Sequence, residues 1–309
     1  MRSISAEQAK LITAAVNEGR TAYPAGALEK DLHLTEILRI ISPLETDDLT
    51  LNFGGGTSLI KAFALMNRMS EDIDIKVSSP SEIDQSQLRQ KLSELKLSIA
   101  HDLQLFGFEI IGSTTHNAYK FFDFELKYLE KFPPEVSLRP VIKLEFTFAK
   151  LHRQAMNTTI STLIYRDLGM IHSPINFSCV ALKQTASEKI LSFLRRWDPI
   201  ANYSDHRLVR HIHDVAILME AQIEPDGLQI SFQEAIMEDG KRFANQNPEF
   251  SRHPKKYLGE KLSLIQSDET LSDNYQLFVP ELVAGKAKSY RESLAIFTQA
   301  AFPLISALK

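Results

Sequence analysis

The sequence predicts an α+β fold: a mixed β-sheet with flanking helices, followed by a C-terminal domain that is mostly helical. Three observations predict it. Residues 51–77 (LNFGGGTSLIKAFALMNRMSEDIDIKV) read as strand, glycine turn, helix, connector, strand. Runs 108–111, 119–126 and 141–148 have the alternation and aromatic content of half-buried strands. From Thr185 onward the apolar spacing turns helical. A chain of 309 residues holds about two domains. The texture changes near Gly169 and Pro174, which sets the expected domains at 1–175 and 176–309.

In chain order, 5–19 and 31–42 are expected helices. The second has a broad apolar face of Leu32, Leu34, Ile37, Leu38, Ile40 and Ile41, and Pro24-Ala25-Gly26 reads as a turn between them. A strand at 51–53 runs into Gly54-Gly55-Gly56, and Thr57-Ser58 open a helix. A polar loop at 78–82 leads to a helix over 84–105 with Leu88, Leu92, Leu95 and Ile99 as its seam. The linker 131–139 holds Pro133-Pro134 and reads as a loop, while 159–165 and 177–181 read as strands. Thr185 and Glu188 have capping-box spacing. Ser204 is the expected cap of a helix over 205–221 with Leu208, Ile212, Val215 and Met219 buried. Arg207, His211 and Asp214 lie on its neighbouring stripe.

Composition excludes several classes. Hydrophobic residues at 44% and charged residues at 24% are ordinary for a globular protein, and a net charge of -4 argues against generic charge-driven nucleic-acid binding. Cys179 is the single cysteine, which excludes an intramolecular disulfide and suits a reducing compartment. It reads as a small buried hydrophobe. No signal-peptide core and no apolar run of about 20 residues is visible, so a cytoplasmic protein with no membrane partner is expected. The nine histidines lack zinc spacing, and no nucleophile elbow, Walker A sequence or dinucleotide fingerprint occurs. The basic residues Arg252, Lys255, Lys256, Lys261, Lys286, Lys288 and Arg291 fit either a solvated helical surface or an RNA-contacting face.

The chemistry concentrates at 51–77. Three glycines let backbone N–H groups approach a phosphate, and the helix that follows offers its positive end. In a strand, Asp72 and Asp74 share one face while Ile73, Ile75 and Val77 share the other. Two residues of strand separate the aspartate Cα atoms by about 6.5–7 Å, within reach of a shared divalent metal. Phosphate cradle plus metal pair is the equipment of a nucleotidyltransferase. In 141–148 the charges Lys143 and Glu145 share a face opposite Ile142, Leu144, Phe146 and Phe148. They fit a solvent-facing strand. They also fit a third carboxylate beside Asp72 and Asp74, with Lys143 near the phosphates.

Together these residues resemble the nucleotidyltransferase-like toxins of the AbiEii/AbiGii family, MenT-type toxins included, within the polymerase-beta-type superfamily. Gly55-Gly56-Thr57-Ser58 followed by Arg68-Met69-Ser70-Glu71-Asp72-Ile73-Asp74 is similar to the family's leading motif. Lys143-Leu144-Glu145 looks like its third-carboxylate strand, Glu188-Lys189 like its Glu-Lys motif, and Arg210-His211-Ile212-His213-Asp214 like its Arg-His-x-x-Asp segment. Glu29-Lys30-Asp31 is similar to its N-terminal pattern. The likeness spans about 29–220, with Gly54 where many relatives are basic and Glu145 where the superfamily more often has Asp.

The resemblance implies a nucleotidyltransferase fold and transfer of a nucleoside monophosphate from an NTP, with Mg2+, to RNA, tRNA foremost. A partner antitoxin and a toxin–antitoxin or phage-defence role follow from it. It implies Asp72, Asp74, Glu145, Lys189 and Asp214 as catalytic residues, the first three as metal ligands. Gly55, Gly56, Thr57, Ser58, Arg68, Lys143 and Glu188 would bind the nucleotide, in a cleft between the two halves. A small-molecule (aminoglycoside-type) nucleotidyltransferase and a non-catalytic nucleotide-binding regulator are the competing readings.

Overall fold

In the computed structural model, residues 1–135, 138–171, 173–198, 206–221, 223 and 225–309 are described. The chain divides into two compact units. Met1–Ala64, Arg68–Leu151 and Ala155–Val180 form the first; Leu65–Asn67, His152–Gln154 and Ala181–Lys309 form the second.

The first unit carries helices α1 (Ala6–Asn17) and α2 (Ala25–Ile41), strand β1 (Thr50–Gly54), the short helix α3 (Gly55–Lys61) and strand β2 (Asp72–Ser78). Helix α4 (Gln85–Leu105), strands β3 (Glu109–Gly112), β4 (Thr115–His116), β5 (Phe121–Lys127), β6 (Ile142–Phe148) and β7 (Met156–Ile160), helix α5 (Leu163–Asp167) and strand β8 (Ile175–Cys179) follow. The sheet order is β3-β5-β6-β2-β1-β8-β7, with β4 paired to β5. It is mixed: β2 runs antiparallel to β1 and parallel to β6.

Period-two patterning sets which face is core. Ile73, Ile75 and Val77 of β2, Ile142, Leu144 and Phe146 of β6, and Phe122, Phe124 and Leu126 of β5 are buried in one cluster with the α4 seam. Each such side chain contributes about 1.5–3 kcal/mol, and slipping a strand by one residue would expose its whole set. Asp72, Asp74, Lys143, Glu145 and Asp123 therefore occupy the opposite face.

Four local expectations are corrected. Residues 24–26 do not form a separate turn, because α2 starts at Ala25 behind Pro24 as its cap. Gly26 is needed there, since a Cβ would strike the Pro133 carbonyl. The strand expected at 159–165 ends at Ile160, where the Thr162 side chain accepts from the Tyr165 N–H and starts α5. The strand expected from Tyr119 starts at Phe121, because Asn117, Ala118 and Tyr119 turn with positive φ. The capping box at Thr185 does not form. Helix α6 (Leu182–Arg196) already runs through it, and the Thr185 N–H donates to the Ala181 carbonyl as an interior residue. The expected cap Ser204 lies outside the described residues.

The second unit is helical. After α6 come α7 (Arg210–Glu220), α8 (Pro225–Arg242), α9 (Pro248–Arg252), α10 (Pro254–Leu264), α11 (Glu269–Leu282) and α12 (Tyr290–Ser306). Phe193 of α6 meets Phe297 of α12 edge-on at 5.2 Å, and Ser187 Oγ donates to the Leu228 carbonyl of α8. No helix among the described residues is long and apolar enough to cross a membrane.

Candidate active site

The glycine turn and the aspartate pair come together in the first unit. In the β1–β2 register Gly54 stands opposite Asp74. Gly55 has φ +71°, and a Cβ there would collide with the Asp74 carboxylate. Glycine is required for the backbone conformation and for the close approach. A Cβ on Gly56 would meet the Arg68 guanidinium and Ser70 Oγ. Arg68 is buried and donates to the Met69 carbonyl at 2.7 Å, so it packs beneath the turn.

Thr57 and Ser58 are also buried, with their hydroxyls turned inward. Thr57 Oγ1 bonds to the Asp72 carbonyl and to Ser70 Oγ, and Ser58 Oγ donates to the Gly55 carbonyl at 3.0 Å. The threonine thus ties the start of α3 to the start of β2, fixing Asp72 relative to the turn.

Beyond β2 the polar face continues laterally. Asp72 registers with Lys143 and Asp74 with Glu145, and Glu145 registers with Asp123 on β5. Lys143 Nζ pairs with Glu145 and lies 3.7 Å from Asp123. Partial burial works against the Lys143 ammonium, but Glu145, then Asp123 and Asp72, raise its pKa above the ordinary lysine range. Asp123 was not among the residues singled out from the sequence. It is buried and accepts from the Thr114 N–H and hydroxyl, both at 2.8 Å. Its signal was the alternation Phe122, Phe124, Leu126, which puts Asp123 on the Glu145 face.

Two carboxylates at one end of a strand, one held against a glycine turn, supply hard oxygen donors of the kind a Mg2+ ion takes. The fit extends to Asp72 and Asp74. Glu145 is engaged by Lys143, and among the described residues no group of three or more His, Cys, Asp or Glu converges to hold a metal ion.

Helix α2 supports this arrangement from below through three consecutive buried residues. Glu29 accepts the N–H groups of Lys131 and Phe132. Lys30 Nζ pairs with Glu71 at 2.9 Å, and Asp31 pairs with Lys61 at 2.6 Å while accepting the Leu163 N–H. Burial pulls both lysine pKa values down, and Glu71 and Asp31 oppose that pull.

The remaining candidates belong to the helical unit. Lys189 is buried and donates to Asp214 Oδ2 at 2.7 Å, while Asp214 is fully enclosed beside His213. Glu188 accepts from Gln184 at 2.9 Å, one turn back along α6. Burial, reinforced by Lys189 and Arg210, pushes the His211 pKa far down, so its imidazole is neutral. Of the C-terminal basic residues, Lys255 donates to the Leu308 carbonyl, Lys261 to the Trp197 carbonyl, and Lys288 pairs with Glu220. Cys179 is buried in β8 with its thiol pushed up to about 12.

MenT4, a nucleotidyltransferase toxin from Mycobacterium tuberculosis H37Rv, is similar in structure with a TM-score of 0.62 and 16% identity, covering 98% of this chain and 90% of its own. A nucleotidyltransferase-like antigenic protein from Paracoccidioides brasiliensis matches with a TM-score of 0.33 and 16% identity, covering 73% of this chain and 91% of that one. The STING-associated c-di-GMP synthase CdnE from Capnocytophaga granulosa matches with a TM-score of 0.28 and 13% identity, covering 96% and 86%. No curated protein matches in sequence. The family model "Nucleotidyl transferase AbiEii toxin, Type IV TA system" matches residues 36–296. The chain therefore belongs to the AbiEii nucleotidyltransferase toxin family of type IV toxin–antitoxin systems, a membership that implies an NTP substrate and an antitoxin partner.

Proposed function

We propose that this nucleotidyltransferase is a Mg2+-dependent toxin that transfers a nucleoside monophosphate from an NTP to RNA, tRNA foremost, with release of pyrophosphate. It would act in the cytoplasm, as one half of a toxin–antitoxin or phage-defence pair. The observation that carries the proposal is the Asp74 carboxylate packed against the Gly55 turn, where only glycine fits, with Asp72 on the same face of β2.

In the transfer, an acceptor hydroxyl oxygen bonds to the α-phosphorus, the bond from that phosphorus to the bridging α–β oxygen breaks, and the electron pair leaves with pyrophosphate. Asp72 and Asp74 would hold the Mg2+, whose chemistry is to offset charge on the attacking and leaving oxygens. Gly55 and Gly56 would offer backbone N–H groups to the phosphates. Thr57 and Ser58 support those groups from within, and Arg68 holds the turn. Glu145, released from Lys143, would take the hydroxyl proton, and Lys143 would then be available to phosphate. In the helical unit, Lys189 is the proposed point cation for phosphate, held by Asp214, with Glu188 beside it.

The test for the acceptor is direct. Purified protein is incubated with Mg2+, total RNA and each of the four α-labelled NTPs, and the products are resolved by size. Label in tRNA-sized bands supports the proposal. Label that migrates as a small molecule makes the enzyme a small-molecule nucleotidyltransferase. Nucleotide binding without pyrophosphate release makes the protein a regulator.

A further inference from the structure

We propose that Arg139 is a nucleotide-binding residue that rests on Asp72 in the metal-free protein and turns to the phosphate chain of the NTP when a metal ion takes Asp72. The inference rests on the metal–nucleotide assignment above.

Arg139 ends the proline-containing linker 131–139, where no motif marks it, yet its backbone is clamped on both sides. Its N–H donates to Glu71 Oε2 at 2.6 Å, and its carbonyl accepts from Lys30 Nζ at 2.7 Å. Those two side chains are themselves a buried ion pair, with side-chain exposures of 1% and 8%. A buried pair is a poor source of net stability, because desolvation offsets most of its attraction. What this pair does supply is a fixed position for the Arg139 main chain, from which the guanidinium reaches Asp72.

The side chain is held differently. It is 41% exposed, and its guanidinium makes one end-on contact to Asp72 Oδ1 at 3.3 Å and a longer approach to Glu71 at 3.9 Å. A single exposed contact of that length is weak and easily exchanged. The planar fork that fails to engage Asp72 with two bonds matches the paired oxygens of a phosphate. A cation arriving at Asp72 would repel the guanidinium while bringing phosphate oxygens within its reach. Arg139 would then oppose metal binding alone and favour nucleotide binding.

Two titrations on the full chain test this: Mn2+ without nucleotide, and α,β-methylene analogues of the four NTPs at saturating Mn2+. For Arg139→Ala, Mn2+ should bind about two- to fivefold more tightly, the range expected for losing an exposed ion pair. The preferred analogue should bind at least about tenfold more weakly, as expected for a lost charged hydrogen bond. Arg139→Lys keeps the charge without the fork and should fall between wild type and Arg139→Ala for the analogue. Because the clamp acts on main-chain atoms, these variants should melt like wild type. Unchanged affinities in Arg139→Ala overturn the proposal, and so does weaker Mn2+ binding, which would make Arg139 a support for Asp72. If wild-type Mn2+ binding is itself insensitive to Asp74→Ala, the metal assignment fails and this proposal fails with it. If binding depends on Asp74 and Arg139→Ala is neutral, the Arg139 assignment alone falls.

Discussion

Gly55 carries two constraints at once, and they can be separated. Its φ of +71° penalises any side chain, and a Cβ there would also displace the Asp74 carboxylate. Gly169 has φ +63° with nothing within 4 Å of a Cβ, so it carries the first constraint only. Gly55→Ala and Gly169→Ala should therefore share a backbone penalty of about 1–2 kcal/mol, read by denaturant unfolding. Only Gly55→Ala should also lower Mn2+ affinity, by about tenfold or more. Equal Mn2+ binding in the two variants would mean that Asp74 does not depend on the turn. The Gly55–Asp74 relation was legible as a motif, whereas its geometry was not, because strand register brings together residues 19 positions apart. Asp123 shows the converse. The period-two pattern already placed it on the polar face, but no motif drew attention to it.

At the scale of single elements, α2 shows where a local reading stops. An apolar face was evident, and Glu29-Lys30-Asp31 stood out only as a family pattern. About 100° of helix rotation separates successive side chains, so each of the three reaches a different segment: the loop at Lys131 and Phe132, the pair Glu71 and Arg139, and the pair Lys61 and Leu163. Those partners are distant in sequence, and no helical period reports them. The Thr185–Glu188 box fails for a related reason: a capping pattern is satisfied only if the helix begins there, and α6 begins at Leu182. Lys61→Met would leave the Asp31 carboxylate buried without its counterion, and should cost about 3–5 kcal/mol in denaturant unfolding.

The same helix gives a pH prediction. His33 is enclosed against Tyr128 and Phe108, its Nε2 has no hydrogen-bond partner among the described residues, and burial lowers its pKa to about 3 from 6.5. The unfolded chain takes up a proton below about pH 6.5 that the folded chain refuses, so the folded state loses stability as pH falls through the window down to about 3. The slope from this one group is at most about 1.4 kcal/mol per pH unit. His33→Phe should flatten the fall in stability between pH 6.5 and 4.5. An unchanged slope would mean that His33 is protonated in the folded protein.

For the whole molecule, the question is what the helical unit contributes. Lys189 and Asp214 form a buried pair, so Lys189→Ala confounds chemistry with folding by taking the ammonium away from a buried carboxylate. The informative variant is Lys189→Met with Asp214→Leu, in which apolar side chains of similar volume should leave stability within about 1–2 kcal/mol of wild type. Nucleotide transfer should be lost in that double variant; retained transfer would make the pair a structural strut. The helical character of this unit was readable from periodicity, while the burial of Lys189 was not. Its partner lies 25 residues away on another helix, beyond what the period of one helix reports.

The central claim is that the strand-end aspartates beside the glycine turn are the seat of nucleotide transfer. Its most direct measurement compares wild type with Asp74→Ala for release of pyrophosphate and incorporation of label from α-labelled NTPs into RNA, with Mg2+ present and folding verified by thermal melting. Wild type should transfer label from at least one NTP, and Asp74→Ala should melt nearly as wild type does with transfer reduced at least about a thousandfold, a loss of about 4 kcal/mol of transition-state stabilisation. Transfer by Asp74→Ala at the wild-type rate would contradict the claim.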